Sequence, residues 1–224
     1  AAEIYMMNNP ADYPDFEELD DLLEVGICRS GSGVLIAGDE LLHYKQGDVC
    51  LIRPYDRHFG LSSHGANASW DFIFFDPARA LASWPVASAL LDTNSLARPL
   101  IEPILDPTRC PGLAHIVDAM IAELRAKGPY RREAVIALAV LLLATIHRHK
   151  RTDLLSVPSS SHIAPRLLPA VEFVSQHYAE KITVADLCRR CRMSVRTLNR
   201  LWQAALGQSP REYVIRPVSY THLT

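Results

Sequence analysis

The spacing of apolar positions divides the chain into three stretches. Between residues 22 and 76 apolar residues come in short runs: LLEVGICRS, VLIAG, LLHYK, VCLIRP and SWDFIFFD. Turn chemistry separates the first four: Gly31-Ser32-Gly33, Asp39-Glu40 and Gln46-Gly47-Asp48. Such runs predict antiparallel strands of a barrel or sandwich. No ten-residue helical pattern interrupts them, which argues against a parallel α/β sheet. The preceding residues 1–20 are polar, acidic and Pro-bearing, and read as a loose lead-in.

From Asp76-Pro77 the period lengthens. ARALASW and VASALLD are helical in character and are broken by Pro85. Pro99, Pro103, Pro107 and Pro111 punctuate an irregular crossing. Over residues 112–127, Leu113, Ile116, Val117, Met120, Ile121 and Leu124 recur at spacings of three and four, predicting a helix. Gly128-Pro129 stops it. A longer helix is predicted over 130–150, and its end, His147-Arg148-His149-Lys150-Arg151, places positive charge where the helix dipole favours it. Two such helices carry more apolar face than one partner covers, which raises the expectation of a homodimer. The Ser- and Pro-rich segment 152–165 reads as a linker.

The third stretch is organised by helix caps. A leading helix is expected over 167–180, with Leu168, Val171 and Val174 on one side. Thr183 has N-cap chemistry for a short helix over 184–191, and Arg192-Met193 is a tight break. Ser194 caps a second helix over 195–206, which Gly207 ends. Ser209 caps again, and Pro210 takes the first position of a further helix. Two short helices across a tight turn describe a helix-turn-helix. In the second, Leu198, Leu201, Trp202 and Ala205 form one stripe, and Arg196, Asn199, Arg200 and Gln203 recur on the opposite face. Arg can take guanine bidentately, and Asn or Gln can take adenine in the same way. These four are the candidate DNA contacts, with Thr197 as a neighbouring phosphate contact.

Charge sharpens this division. The net charge of -2 hides 9 Lys/Arg against 4 Asp/Glu over residues 166–216, a local +5, with -7 on the remainder. A basic C-terminal piece on an acidic body suits a polyanion-binding module. The five cysteines fit no disulfide framework, and reduced thiols in a cytoplasmic protein are the simplest account. Cys188-x-x-Cys191 has half the spacing of a zinc site. Both residues also fall where a small helical core needs apolar side chains, so core packing is expected and no metal. No apolar run spans a bilayer, and no phosphate loop, nucleophile elbow or zinc-protease motif is present. No catalytic residue and no cofactor are therefore expected.

The motif GDVCLIRP (47–54), followed by His58, resembles the second conserved motif of cupin barrels; the Gly31-x-Gly33 hairpin and the closing Trp70-Asp71-Phe72 strand fit the same pattern. Metal-binding cupins carry an His-x-His pair. Here residues 33–45 hold only His43, so the resemblance is to metal-free, sensory cupins. A barrel interior is a natural effector site. His58, Arg53, Trp70 and Phe72 are the candidate effector contacts. For His58 a turn or surface role stands beside that reading, for Arg53 a surface role, and for the aromatics plain core packing. Strand alternation puts Trp70, Phe72 and Phe74 on one face and Asp71, Ile73 and Phe75 on the other, without saying which points inward.

Ile182-Thr183, Ala185-Asp186-Leu187, Met193-Ser194, Arg196, Leu198, Arg200, Gly207, Ser209-Pro210 and Tyr213 resemble the first helix-turn-helix of the AraC family of transcription regulators, with Trp202 where Phe is usual. The resemblance implies an α+β chain. A cupin-like sensing domain (1–107) precedes a helical dimerisation segment (108–151), the linker (152–165) and an all-α helix-turn-helix domain (166–216). It implies promoter DNA, a small-molecule effector such as a sugar or related metabolite, and a homodimer, with no membrane. The family's reader has two helix-turn-helix halves. Here eleven residues follow Tyr213, Pro217 interrupts helix growth, and no Met begins the chain. The expectation is a truncated regulator with a foreign tail over 217–224 and weak, salt-sensitive DNA binding. The rival expectations are a cupin-fold enzyme, of isomerase or dioxygenase type, with an incidental helical tail, and a pure interaction or dimerisation module.

Overall fold

The computed structural model describes residues 4–7, 21–38, 40–63, 68–82, 84, 88–96, 101–126, 128–149, 164–177 and 180–214. Asp39, Pro85, Pro99, Lys127, Lys150, Arg151, nearly all of the linker, and the tail 217–224 lie outside the described residues. Contacts group the chain into two compact units: residues 1–29, 46–56 and 70–158, and residues 30–45, 57–69 and 159–224.

The first unit is built on a five-stranded sheet. Its strands are β1 (Ile4–Met7), β2 (Leu23–Ser30), β5 (Val49–Ile52), β7 (Ser69–Phe75) and β8 (Ile104–Leu105), in the order β1-β7-β2-β5-β8. Pairing is antiparallel for β1 with β7, β2 with β5 and β5 with β8. Three strands match the expected runs. β1 does not: the loose lead-in was the wrong reading of residues 4–7, which pair with Phe72 to Phe75. A strand edge about seventy residues distant leaves no local trace in a four-residue segment.

Strand alternation sorts this sheet into two faces. Leu23, Val25, Ile27, Val49, Leu51, Ile73 and Phe75 pack against α2 (Leu113–Ala126) and α3 (Arg131–Arg148). The helices contribute Val117, Met120, Ile121, Ala139, Leu142 and Leu143, each no more than 1% exposed. A four-residue helix, α1 (Pro77–Ala80), follows β7 and is capped by Asp76. Asp71, on the same sheet face as Ile73, is buried and bridges two cations. Its Oδ2 accepts from Arg29 Nε at 2.6 Å, and its Oδ1 from Arg125 Nη2 at 3.1 Å; Arg29 also pairs with Asp118. These pairs tie β2 and β7 to α2. The basic end of α3 serves the helix itself: Arg148 Nε donates to Ala144 O, and His149 Nδ1 lies 2.8 Å from Thr145 O. No helix among the described residues is long and apolar enough to cross a membrane.

The second unit joins a three-stranded antiparallel sheet to four helices. The strands are β3 (Ser32–Ala37), β4 (Glu40–Lys45) and β6 (His58–Ser62), in the order β4-β3-β6. β6 was not expected; HFGLS is short, and its central Gly breaks the apolar run. The helices are α4 (Ala164–Gln176), α5 (Val184–Cys191), α6 (Val195–Leu206) and α7 (Pro210–Val214). Three of the four follow the expected bounds; α4 starts three residues early and ends four early. Pro169 therefore sits inside it, where its missing N–H removes one helical hydrogen bond.

Val34 and Ile36 face the same way and pair with Leu61 and Phe59. All four belong to one apolar cluster with Leu167, Val171 and Val174 of α4, Leu187 of α5, Leu198, Leu201 and Trp202 of α6, and Tyr213 of α7. Trp202 is fully buried and meets Tyr213 edge to face at 5.5 Å. Its Nε1 has no hydrogen-bond partner among the described residues. Arg57 donates to Glu172 Oε1 at 2.7 Å, tying the β6 end of the sheet to α4. Cys188 and Cys191 pack against this cluster as expected, and burial raises both thiols above their ordinary value. Among the described residues no three His, Cys, Asp or Glu side chains are grouped to hold a metal ion.

Gly33 marks the tightest approach. A Cβ there would lie 2.0 Å from Leu61 O and 2.5 Å from Tyr44 Oη, and Tyr44 itself donates to Leu61 O. Gly33→Ala is expected to destabilise the chain by at least about 2 kcal/mol, because backbone and a buried phenol must both shift; urea midpoints measure it. Phe59→Ala is expected to cost about 3–5 kcal/mol. It should lower amide-exchange protection in α6 as well as in β6. Unchanged protection at Leu198 and Leu201 would show that strand and helix do not share a core.

Candidate nucleic-acid interface

Local hydrogen bonds set helices α5 and α6. Thr183 Oγ1 accepts from Asp186 N–H at 3.3 Å, and Asp186 Oδ2 accepts from Thr183 N–H at 2.9 Å, a reciprocal capping box at the start of α5. The Thr183 hydroxyl also donates to Asp186 Oδ2; this bond first and the Thr183 backbone bond next, with the Arg189 charge behind them, hold the Asp186 carboxyl below its ordinary value. Arg192 ends α5 in the left-handed region at φ 50°, and Met193 N–H returns to Cys188 O at 3.1 Å. Ser194 Oγ then accepts Thr197 N–H at 3.2 Å and starts α6. Gly207, at φ 67°, ends it with a bond to Gln203 O. Ser209 and Glu212 form the same kind of box around Pro210. A tight turn with a cap on each side leaves α6 little freedom in where it starts.

The two stripes of α6 separate as the sequence implies. Leu198, Leu201, Trp202, Ala205 and Leu206 are buried, and Arg196, Asn199, Arg200 and Gln203 are exposed. No side chain of these four makes a hydrogen bond or ion pair to another described residue. Thr197 is half-buried, with Oγ1 3.0 Å from Ser194 Oγ. Two neighbouring cations are engaged: Arg189 pairs with Asp186, and the Arg190 guanidinium lies 4.4 Å from the centre of the Phe173 ring. Two residues here escaped sequence reasoning. Phe173, between Arg190 and His177, is a stacking platform of α4. Val195, the first residue of α6, is 52% exposed; its spacing to Asn199 was the available signal.

Of the sensory candidates, Trp70 and Phe72 adjoin: their rings stack at 5.6 Å and 18°, and Phe74 follows at 6.1 Å. This row lies on the sheet face turned away from α2 and α3, in a cluster with Leu22 and Cys50. Gly26 makes room for it, since a Cβ there would fall 2.4 Å from the Phe72 ring. Glu24, two residues before Gly26 on the same strand face, is buried, and was missed because a charged residue in an apolar run reads as an interruption. Burial first, and then the Glu24 charge, push the Cys50 thiol well up, leaving an inert thiol. Arg53 instead forks onto its neighbour Asp56, Nε to Oδ2 at 2.9 Å and Nη2 to Oδ1 at 2.7 Å, so one edge of its guanidinium is occupied locally. His58 belongs to the second unit and is 7% exposed, which corrects its reading as a surface histidine.

Known proteins share both parts. Residues 16–143 match the AraC-like ligand binding domain, and residues 174–214 match the bacterial regulatory helix-turn-helix proteins, AraC family. The HTH-type transcriptional activator RhaS of Klebsiella pneumoniae (strain 342) is 24% identical over 196 residues, covering 88% of this chain and 68% of that protein. Among solved structures, the AraC-like transcriptional activator CuxR is 16% identical with a TM-score of 0.37, covering 87% of this chain and 65% of that one. ToxT from Vibrio cholerae O395 is 12% identical with a TM-score of 0.36, covering 95% of this chain and 76% of that one. The chain thus spans between 65% and 76% of the length of these relatives. On both matches, the chain belongs to the AraC family of bacterial regulatory helix-turn-helix proteins.

Proposed function

We propose that this chain reads promoter DNA through the exposed face of α6 and that a small molecule on the sensory strands controls the reading. One observation carries the first half: Arg196, Asn199, Arg200 and Gln203 are exposed and uncommitted among the described residues, on a helix whose other stripe is buried. Arg196 and Arg200 suit guanine, and Asn199 and Gln203 suit adenine. Thr197 suits a phosphate. Ser194 Oγ accepts the Thr197 N–H; if it donates its own proton to Thr197 Oγ1, the Thr197 hydroxyl proton is free for an anion oxygen.

The effector reading rests on the Trp70, Phe72 and Phe74 row beside buried Glu24. Ring faces with a carboxylate acceptor suit a small hydroxylated or cationic metabolite. We keep Arg53 as a secondary contact, and His58 as a separate effector candidate on the second unit's sheet. Sensing is assigned to residues 1–107, dimerisation to 108–151 and reading to 166–216. The outward stripe of α3, Ala134, Ala137, Leu141 and Ala144, is apolar, and Leu141 is 44% exposed, which supports a second copy of the chain as its partner. We read the protein as a cytoplasmic regulator without catalytic chemistry.

Arg196→Ala and Arg200→Ala are each expected to weaken binding to a selected duplex by about 1–3 kcal/mol, with base preference relaxed at one position. Equal affinity and unchanged preference in equilibrium titrations would rule out α6 as the reader. In a thermal-shift screen of sugars and small acids, a stabilising metabolite is expected for the unaltered chain. Trp70→Ala should remove its shift while leaving the unliganded melting point within a few degrees. A shift that survives Trp70→Ala would move the effector elsewhere.

A further inference from the structure

We infer that Val195 is a specificity-determining residue of the reader, contacting the C5-methyl group of a thymine in the major groove. The inference rests on the reading of α6 as the DNA-contacting helix and goes beyond it, because no polar contact on that face senses a methyl group.

Val195 has no structural task that would account for an apolar side chain at this position. It is the first residue of α6 and 52% exposed, the only large apolar side chain so exposed among the described residues of its unit. The cap is Ser194. The apolar positions that fix a helix entry are the residue before the cap and the fourth residue of the helix. Here these are Met193 and Leu198; Leu198 belongs to the core cluster of the unit and Met193 packs against it. As a β-branched residue Val is also a poorer helix former than Ala. Its methyl groups are stiff about χ1, so an apolar contact orders little on binding.

Its surroundings point to a base edge. Val195 precedes Arg196 and lies one turn before Asn199, both exposed and without partners among the described residues. The N-terminal residues of a recognition helix are the ones that reach base edges. In the major groove thymine is distinguished by its methyl group, and small apolar side chains meet it. Side chains four apart on a helix stand about 5–6 Å apart. Base pairs rise about 3.4 Å. Val195 and Asn199 therefore address positions one or two steps apart, Asn199 an adenine and Val195 a thymine. The implied subsite is a short A·T-containing step beside the guanines of Arg196 and Arg200.

The full chain, at low ionic strength, is used to select a preferred duplex from a random pool. Each thymine of the selected site is then exchanged singly for deoxyuridine, which lacks only the methyl group. One exchange is expected to lower the affinity of the unaltered chain by about three- to fivefold, the scale of one buried methyl group. Val195→Ala should lose a similar factor on the unmodified site and nothing further on the exchanged one. Val195→Ile should keep the discrimination, and both variants should melt with the parent, since the side chain is exposed. If deoxyuridine costs Val195→Ala as much as it costs the parent, or if no thymine exchange matters, the inference is overturned while the DNA reading stands. If the parent selects no sequence at all, the reading of α6 falls, and this inference with it.

Discussion

Burial of the Leu198, Leu201, Trp202, Ala205 and Leu206 stripe is the constraint on which the exposed face of α6 depends. A helix of twelve residues has little stability alone, and most of what holds it comes from packing one face. Once that face is committed, the rotation of α6 about its axis is set, and the polar side chains opposite have one direction in which to point. The caps fix where the helix begins; the stripe fixes how it is turned. Together they convert a sequence spacing into an outward chemical surface.

The partner of that stripe joins the strands to α6. Helices α4, α5 and α7 supply part of the cover, and Val34, Ile36, Phe59 and Leu61 of the three-stranded sheet supply more. Strands read as sensory and helices read as DNA-binding thus share one apolar interior. Packed interiors resist continuous deformation, so β3, β6 and α6 are held as one packed body. The ion pair from Arg57 to Glu172 adds direction more than strength, because its guanidinium is mostly solvated. In the other unit, Asp71 has the corresponding position: one buried carboxylate holds cations from β2 and α2.

What the sequence revealed follows the range of the interactions. Thr183 with Asp186, Ser194 with Thr197 and Ser209 with Glu212 all act over three residues, so α5 and α6 were legible to their terminal residues. The strand runs at 22–30 and 49–54 were legible because turn residues bracket them. β1 and β6 were not, since a short strand is defined by a partner elsewhere in the chain. The parity of Trp70, Phe72 and Phe74 was readable, but the direction of that face required knowing that Ile73 and Phe75 meet α2 and α3. Arg53 and His58 show the same limit: Asp56 lies three residues from Arg53, yet a charge pair over that distance has many geometries.

Trp202 carries a consequence of its own. A buried donor without a partner costs roughly 1–3 kcal/mol. Among the described residues its indole nitrogen meets no acceptor, at the centre of the core under α6. The folded arrangement is therefore locally frustrated: shape and apolar area favour the indole, and hydrogen bonding does not. An apolar ring of similar size would fill the same space without carrying a donor into it, so at this position the core under α6 is specified by shape and apolar area rather than by hydrogen bonding.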